Sequence, residues 1–193
     1  KLFDPHLFVL RNSSWTREHV FICPLHNLEI ESFRRFSAWI NIFRFAKRLR
    51  KDNFDVVQAH FMDALRMSIP VAWLVRVPGI IAMRKSQGYW MTGKPSFVQK
   101  CLNTLPDVFV ANSESTRQWS HSTEGIGLDR IRVIHNGFVG HDAPHDQATR
   151  VRARTLLGLS GDARVVGIVA NLRPVKRIDV FLRAAALVES EMP

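Results

Sequence analysis

The chain has 193 residues, of which 46% are hydrophobic and 23% charged, an ordinary composition for a globular protein. That length can bury one large hydrophobic core or two small ones. The formal net charge of +10 favours polyanions or an anionic membrane surface as partners. None of the signatures of common nucleic-acid-binding modules is present, so we expect no nucleic-acid partner. The two cysteines, Cys23 and Cys101, are too few for a disulfide framework, which favours a reducing compartment.

Short apolar segments near the start of the chain predict two strands. These are His6–Leu10 and His19–Cys23, and a polar turn at Asn12–Ser14 separates them.

An amphipathic helix is predicted over Glu31–Lys51, because its apolar residues recur at helical spacing on two neighbouring stripes. The first stripe holds Phe33, Phe36, Ile40, Phe43 and Lys47, and the second holds Trp39, Ile42, Ala46 and Leu49. Its cations are Arg34, Arg35, Arg44, Lys47, Arg48, Arg50 and Lys51. Such a helix could lie on an anionic membrane surface, or it could pack on the core and expose a solvated face. The broad apolar arc favours packing.

Strands and helices alternate through the rest of the chain, which predicts an α/β fold. We expect a Rossmann-like, largely parallel sheet with helices on both faces. The predicted strands are 55–59, 79–83, 107–111, 132–134 and 164–170. The predicted helices are 62–75, with a kink or break at Pro70, then 95–105, 116–119, 148–157 and 175–188.

Several candidate site residues follow these strands, where ligands gather in open α/β sheets. His60 could serve as a base, as a hydrogen-bond donor or as a structural residue. The loop Arg84–Gly93 contains two cations, two aromatic residues and two glycines, which indicates either a loop over a cleft or an ordinary exposed loop. Ser113 has the position of a helix N-cap. Asn136 and Gly137 predict a tight turn with positive φ.

A polar stretch over 138–147 predicts a hinge between two domains, 1–137 and 148–193. Potential metal ligands lie in this stretch: His141, Asp142, His145 and Asp146. A flexible linker without a periodic scaffold is a poor platform for ligands, so we expect no metal site.

Basic residues cluster at the start of the last predicted helix. Pro174 suits the first helical position, and Arg173, Lys176 and Arg177 lie beside it, where the helix macrodipole is positive. Exposed cations there are disfavoured by about 0.3–1 kcal/mol each, and Asp179 offsets part of that cost. Either an anion binds against this cluster or it is a solvated basic helix end.

The segment 171–185 (NLRPVKRIDVFLRAA) resembles the start of the C-terminal domain of family-4 glycosyltransferases, which are retaining enzymes with the GT-B fold. The resemblance includes 55–61 (DVVQAHF), 107–117 (DVFVANSESTR) and 130–137 (RIRVIHNG). The family pattern has Gly-Arg-Leu followed by Lys four positions later. Asn171 stands where the family has Arg, and Lys176 occupies the Lys position.

This resemblance implies transfer of a sugar from a nucleotide-diphosphate donor to a glycan or lipid-linked acceptor. It implies a role in cell-surface polysaccharide synthesis, in the cytoplasm and peripherally at the inner membrane face, without a cofactor. Asn171, Arg173 and Lys176 would bind the donor diphosphate, with Arg173 as the substitute for the family Arg. His60 would be the catalytic residue from the opposing domain. The candidate cleft contacts are Arg84, Ser113 and Gly137.

Two features of the family are absent from these residues. No glycine precedes Gly79, so the glycine-rich loop after a first strand is missing, and no two glutamates lie eight residues apart. We therefore expect a fragment, beginning at Lys1, that spans the later N-terminal domain and the opening of the C-terminal domain and is inactive alone. The alternatives are a non-catalytic α/β domain that binds a nucleotide or an anionic membrane, and a nucleotide-sugar epimerase on the same fold.

Overall fold

A computed structural model describes residues 3–88, 96–137, 146–161 and 163–191. The chain divides into two compact units, Lys1–Asn136 and Gly137–Pro193. The predicted linker lies mostly outside the described residues, at 138–145, and so do the candidate ligands His141, Asp142 and His145. The predicted domain boundaries therefore stay predictions.

The first unit alternates short strands with helices. Its strands are β1 (Leu7–Val9), β2 (Leu25–Asn27), β3 (Val56–Ala59), β4 (Gly79–Arg84), β5 (Val108–Ala111) and β6 (Ile131–Val133). Its helices are α1 (Ser14–Glu18), α2 (Phe36–Lys51), α3 (Met62–Leu74), α4 (Phe97–Leu102) and α5 (Glu114–Glu124), and a 3₁₀ turn (Leu128–Arg130) precedes β6. The second unit contains α6 (Gln147–Leu156), a 3₁₀ turn (Pro174–Lys176) and α7 (Ile178–Glu191).

All strand pairs are parallel, which confirms the predicted α/β class. β3, β4, β5 and β6 form one sheet in that order, and β1 pairs with β2 in a separate sheet. Each parallel pair within the larger sheet is joined by a crossover that contains a helix, as parallel connections require. The spatial order of these four strands is the same as their order in the sequence.

The core lies between the larger sheet and the helices that pack on it. Ala82, Phe109 and Ala111 of the central strands are fully buried, and Ile69 of α3 is 2% exposed. The larger sheet is apolar where it meets these helices because the central strands carry mainly Val, Ile, Ala and Phe. No helix among the described residues is both long and apolar enough to cross a lipid bilayer.

A buried polar network ties the end of β4 to α4 and α5. The residue Arg84 is 4% exposed, and its Nε donates to Glu124 Oε2 at 2.6 Å. Its Nη2 donates to Asn103 Oδ1 at 3.0 Å, and its guanidinium carbon lies 5.0 Å from the centroid of the Phe109 ring. Burial and pairing place the guanidinium of Arg84 in the core, and its expected role as a cleft contact stays a prediction.

The second predicted strand, His19–Cys23, is wrong. Ser13 caps helix α1 instead: its hydroxyl accepts from the Thr16 N–H at 3.2 Å, and the Thr16 hydroxyl accepts from the Ser13 N–H at 2.7 Å. This capping box makes the chain helical directly after the expected turn. Val20 and Ile22 have high β propensity, but each is 99% exposed, so packing contacts do not stabilise a strand there. The strand that pairs with β1 forms further on, as β2.

Two helices differ from their predicted limits. Helix α2 begins at Phe36 rather than at Glu31. Helix α3 runs from Met62 to Leu74 without a break at Pro70. Ile69 and the residues around it are buried against the core, so tertiary packing holds the helix together where the missing proline N–H removes one hydrogen bond.

The predicted strand 164–170 does not form a strand among the described residues. Val166 is 74% exposed and Ile168 is 41% exposed. A strand needs at least one hydrogen-bonded neighbour, and the described residues of the second unit supply none. The predicted helix before it is confirmed as α6, whose N-cap Asp146 accepts from the Thr149 N–H at 2.7 Å.

The buried pair of Arg84 and Glu124 generates a stability prediction. Glu124→Ala should lower the free energy of unfolding by about 3–5 kcal/mol, because it leaves a guanidinium buried and unpaired. Urea unfolding followed by circular dichroism measures this loss. The matched control, Glu114→Ala, removes the carboxylate of an exposed pair with Arg117 on the same helix and should change stability far less. Equal losses in the two variants would contradict the assignment.

Candidate active site at the carboxyl edge of the sheet

The carboxyl ends of β3, β4 and β5 bring polar residues to one edge of the larger sheet. His60 follows β3, Lys85 follows β4, and Asn112 and Ser113 follow β5. Helices α3 and α5 also begin at this edge, so their first N–H groups lie there. Because parallel strands end at the same edge, residues far apart in sequence share this surface.

His60 is half-buried and accepts a hydrogen bond from Gln58, which lies two residues before it on β3. The Gln58 side-chain amide nitrogen lies 2.8 Å from His60 Nε2. An amide nitrogen only donates, so with the amide in this orientation Nε2 accepts and Nδ1 carries the proton of the neutral ring. Burial, and then the positive charge of Lys85, lower the pKa of His60 below its ordinary value of 6.5. His60 is therefore neutral near pH 7 and offers an N–H donor.

This geometry distinguishes the roles that the sequence leaves open for His60. A general base needs a lone pair facing the substrate, and the Nε2 lone pair faces Gln58. The Nδ1–H has no hydrogen-bond partner among the described residues. The arrangement thus favours a hydrogen-bond donor to a bound hydroxyl or phosphate oxygen.

Phe61 has a backbone conformation that L-residues rarely adopt, with φ 65° and ψ 150°. Such a conformation costs about 1–3 kcal/mol and persists only where the surroundings enforce it. It lets the chain turn abruptly from β3 into α3, which leaves the Phe61 ring 76% exposed beside His60. Lys85 Nζ lies 5.7 Å from the centroid of that ring. An aromatic face and a cation therefore border His60.

Asn112 and Ser113 hold the edge together through short contacts. Asn112 Nδ2 donates to the Lys85 carbonyl at 3.2 Å, and its Oδ1 accepts from the Thr116 hydroxyl at 3.1 Å. Ser113 Oγ accepts from the Thr116 N–H at 3.2 Å, so Ser113 is the N-cap of α5. Capping accounts for Ser113 without a ligand. Its predicted cleft contact stays a prediction.

The tight turn expected at Asn136 and Gly137 after β6 would end at residue 138, which lies outside the described residues, so this turn stays a prediction. Neither Asn136 nor Gly137 has positive φ. Among the described residues, no strand returns alongside β6 to require a reversal of the chain. A Cβ added at Gly137 would meet no atom within 4 Å, so no close approach requires glycine there.

The sequence did not single out three residues of this edge, Phe61, Lys85 and Asn112, although Lys85 lies in the loop Arg84–Gly93 that it indicated as a possible cleft loop. Their common signal is position, since each is the first or second residue after a strand of the parallel sheet. The sequence could have indicated Lys85 and Asn112 by this rule. The residue type at position 61 does not indicate the strained backbone, because phenylalanine rarely adopts positive φ.

The basic loop of the second unit differs from its predicted form. Pro174–Lys176 is a separate 3₁₀ turn, Arg177 adopts the left-handed conformation with φ 47°, and α7 begins only at Ile178. Pro174 does occupy the first position, but of the short turn, and it keeps Arg173 extended. Arg173 and Lys176 therefore precede the first turn of α7 instead of crowding it.

The cations of this loop differ in their pairing. Arg177 and Arg183 both bind the Asp179 carboxylate, and the nearest contact is 2.6 Å. Hydrogen bonds from Arg177 and Arg183 lower the pKa of Asp179, so this carboxylate stays charged. Within the described part of the chain, the side chains of Arg173 and Lys176 are exposed and have no hydrogen bond or ion pair. These two remain available to an anion.

No group of three or more potential metal ligands occurs among the described residues. In the first unit, the edge offers a neutral N–H donor, a cation and an aromatic face to a ligand that carries hydroxyl or phosphate groups. In the second unit, the loop offers two uncompensated cations to an anion.

The pKa of His60 supplies a direct test of this edge. Lys85→Met should raise that pKa, because it removes a nearby positive charge that disfavours protonation. Lys51→Met, at the end of α2 near the start of β3, is the matched control and should leave it unchanged. Titration of the His60 ring by NMR measures the shift. The same pKa in all three proteins would show that Lys85 does not face the ring.

Comparison with known proteins gives these features a context. The sequence profile of Glycosyltransferase Family 4 matches residues 3–139. The D-inositol 3-phosphate glycosyltransferase of Mycolicibacterium vanbaalenii is 37% identical over 148 residues, which are 69% of this chain and 32% of that protein. The protein of the same name from Thermobispora bispora is 29% identical over 72% of this chain and 35% of its own. The chain thus spans about a third of the length of these relatives.

Solved structures agree on the fold. The Anabaena protein HepE, in complex with UDP and glucose, has a TM-score of 0.75 and 15% identity and covers 97% of this chain and 50% of its own. A glycosyltransferase from Rickettsia africae has a TM-score of 0.60 and 15% identity over 82% of this chain and 42% of its own. At such identity the likeness concerns the fold alone, which is the GT-B type with Rossmann-like parallel sheets. Because the family profile matches well over half of its residues, the chain belongs to glycosyltransferase family 4.

Proposed function

We propose that this chain is part of a retaining glycosyltransferase that moves a sugar from a nucleotide-diphosphate donor to an acceptor. The observation that carries the proposal is the family match over residues 3–139. Two further facts support it. The relatives are named D-inositol 3-phosphate glycosyltransferases, and HepE binds UDP-glucose in another of its structures. The retaining stereochemistry comes from the family resemblance.

The donor diphosphate would bind to the basic loop of the second unit. Sugar transfer releases a nucleoside diphosphate, and cations stabilise the charge that develops on it. Arg173 and Lys176 are exposed and without partners among the described residues, so no internal contact has to break when an anion binds. Arg173 can hold two phosphate oxygens at once, whereas Lys176 acts as a point charge. Asn171 would add a neutral hydrogen bond.

The acceptor or the transferred sugar would bind to the carboxyl edge of the first unit. His60 offers its Nδ1–H to a hydroxyl or phosphate oxygen, and Lys85 supplies positive charge beside it. The acceptor named for the relatives carries a phosphate group, which suits this pairing. For this protein we propose a glycan or lipid-linked acceptor used in cell-surface polysaccharide synthesis. Such an acceptor would place the enzyme in the cytoplasm, at the inner face of the membrane.

A donor-binding experiment tests this proposal in the longer polypeptide that contains this chain. Lys176→Ala should weaken binding of a UDP- or GDP-sugar at least about tenfold and slow turnover, because a charge-assisted phosphate contact contributes about 1.5–3 kcal/mol. Lys176→Arg should keep most of the affinity. The control Arg150→Ala removes an exposed cation of α6 in the same unit and should change neither quantity. Isothermal titration calorimetry and product formation supply the two measurements.

The outcomes separate the proposal from its alternatives. Unchanged affinity in Lys176→Ala would remove the diphosphate assignment. Nucleotide-sugar binding without any product would favour a non-catalytic binding domain. Conversion of the donor sugar in the absence of an acceptor would identify an epimerase. Full turnover by the 193-residue chain alone would contradict our expectation that the chain is inactive by itself, and inversion of the anomeric centre would contradict retention.

A further inference from the structure

Helix α2 exposes a stripe of large apolar side chains. Phe36 is 81% exposed, Trp39 60%, Ile40 42% and Phe43 71%. Their spacing of three and four residues puts all of them on one face of the first two turns. Trp39 belongs to this exposed face and not to the core, contrary to the grouping expected from the sequence. Four large neighbouring apolar residues form a contiguous patch rather than scattered surface residues.

The opposite face of α2 holds the helix on the domain. Ala38, Phe45 and Leu49 are at most 4% exposed and belong to the core, and Ile42 packs against them. Helical spacing puts these residues roughly opposite the exposed stripe. The exposed side chains are therefore presented by a helix whose other face is already packed on the domain.

The same exposed face becomes cationic in the last two turns. Lys47, Arg50 and Lys51 continue the line of Phe36, Ile40 and Phe43 at helical spacing. No acidic residue occurs in α2. The nearest carboxylates, Glu31 and Asp52, are paired with Arg35 and Arg48. The three cations of the stripe have no ion-pair partner among the described residues.

We propose that this face of α2 docks on the surface of an anionic lipid bilayer. Phe36, Trp39, Ile40 and Phe43 enter the interface between headgroups and acyl chains, and Lys47, Arg50 and Lys51 lie on lipid phosphates. This arrangement buries the apolar patch and neutralises the cations in one contact. The docking proposal extends the proposed function, because it identifies the surface by which an enzyme with a lipid-linked acceptor approaches the membrane. It does not depend on which sugar the donor carries.

Charge complementarity selects a membrane over a second copy of the chain. A symmetric dimer through α2 would bring the same exposed face of both helices together. Because α2 lacks acidic residues, that contact would oppose cations with cations. An anionic lipid surface supplies the opposite charge at every position of the helix and accepts aromatic side chains at the depth of its headgroups.

Sedimentation with lipid vesicles tests the proposal on the longer polypeptide that contains this chain. The protein should bind vesicles that contain phosphatidylglycerol and bind phosphatidylcholine vesicles far more weakly. Phe36→Ser combined with Trp39→Ser should reduce binding to the anionic vesicles at least about tenfold, because two large apolar side chains no longer leave water. Each of Lys47→Ser and Arg50→Ser should reduce it about fivefold, since a cation near an anionic surface contributes about 1 kcal/mol.

Matched substitutions elsewhere in the chain serve as controls. Phe97→Ser on α4 and Trp73→Ser on α3 remove side chains that are 81% and 56% exposed, close to the values of Phe36 and Trp39. These variants should bind vesicles as the unaltered chain does. The chain has five tryptophans, so a blue shift of the emission on vesicle binding is assigned by its loss in Trp39→Phe. Circular dichroism confirms that every variant is folded.

Three results would overturn the proposal. The first is no binding to the anionic vesicles. The second is an equal loss in the α2 variants and in their controls. The third is a concentration-dependent dimer that Phe36→Ser dissociates, which would identify the face as an interface between copies. The assay contains no nucleotide sugar, so its failure leaves the donor-binding result untouched, and failure of donor binding leaves the vesicle result untouched.

Discussion

Parallel pairing of β3, β4, β5 and β6 is the constraint on which the rest of the first unit depends. Since all four strands run in one direction, each consecutive pair must be joined by a crossover, and all four strands end at the same edge. His60, Lys85 and Asn112 meet there for this reason alone. The helices that make the crossovers pack on the sheet and supply much of the core, and α2, which precedes β3, adds a second exposed surface.

Arg84 and Lys85 are neighbours in the sequence, but at that edge the first side chain is buried and the second is exposed. Arg84 is the last residue of β4 and turns into the core, where Glu124 and Asn103 satisfy its guanidinium. Lys85 is the next residue, beyond the end of β4, and its side chain is exposed, with Nζ 5.7 Å from the centroid of the Phe61 ring. One cation therefore ties the sheet to two helices, and the other sets the charge around His60.

Helix α2 combines the two interpretations that its sequence allows. Its core face holds the domain together, and its other face exposes aromatic residues that continue into cations. One helix of sixteen residues can carry both faces, since the buried and the exposed stripes lie on roughly opposite sides of it. A core-packing helix and a membrane-docking helix are thus compatible descriptions of one element.

The sequence by itself determined the α/β class, the helices α2, α3, α5 and α6, and the position of His60 after a strand, because hydrophobic periodicity and turn residues act over a few neighbouring positions. It also identified the family through four short motifs. Only the tertiary structure decided that Arg84 is buried, that Phe61 is held at positive φ and that 164–170 pairs with no strand among the described residues. These outcomes depend on which partners surround a residue in space. Local propensity cannot specify those partners, since burial, strand pairing and enforced backbone strain are set by segments distant in the chain.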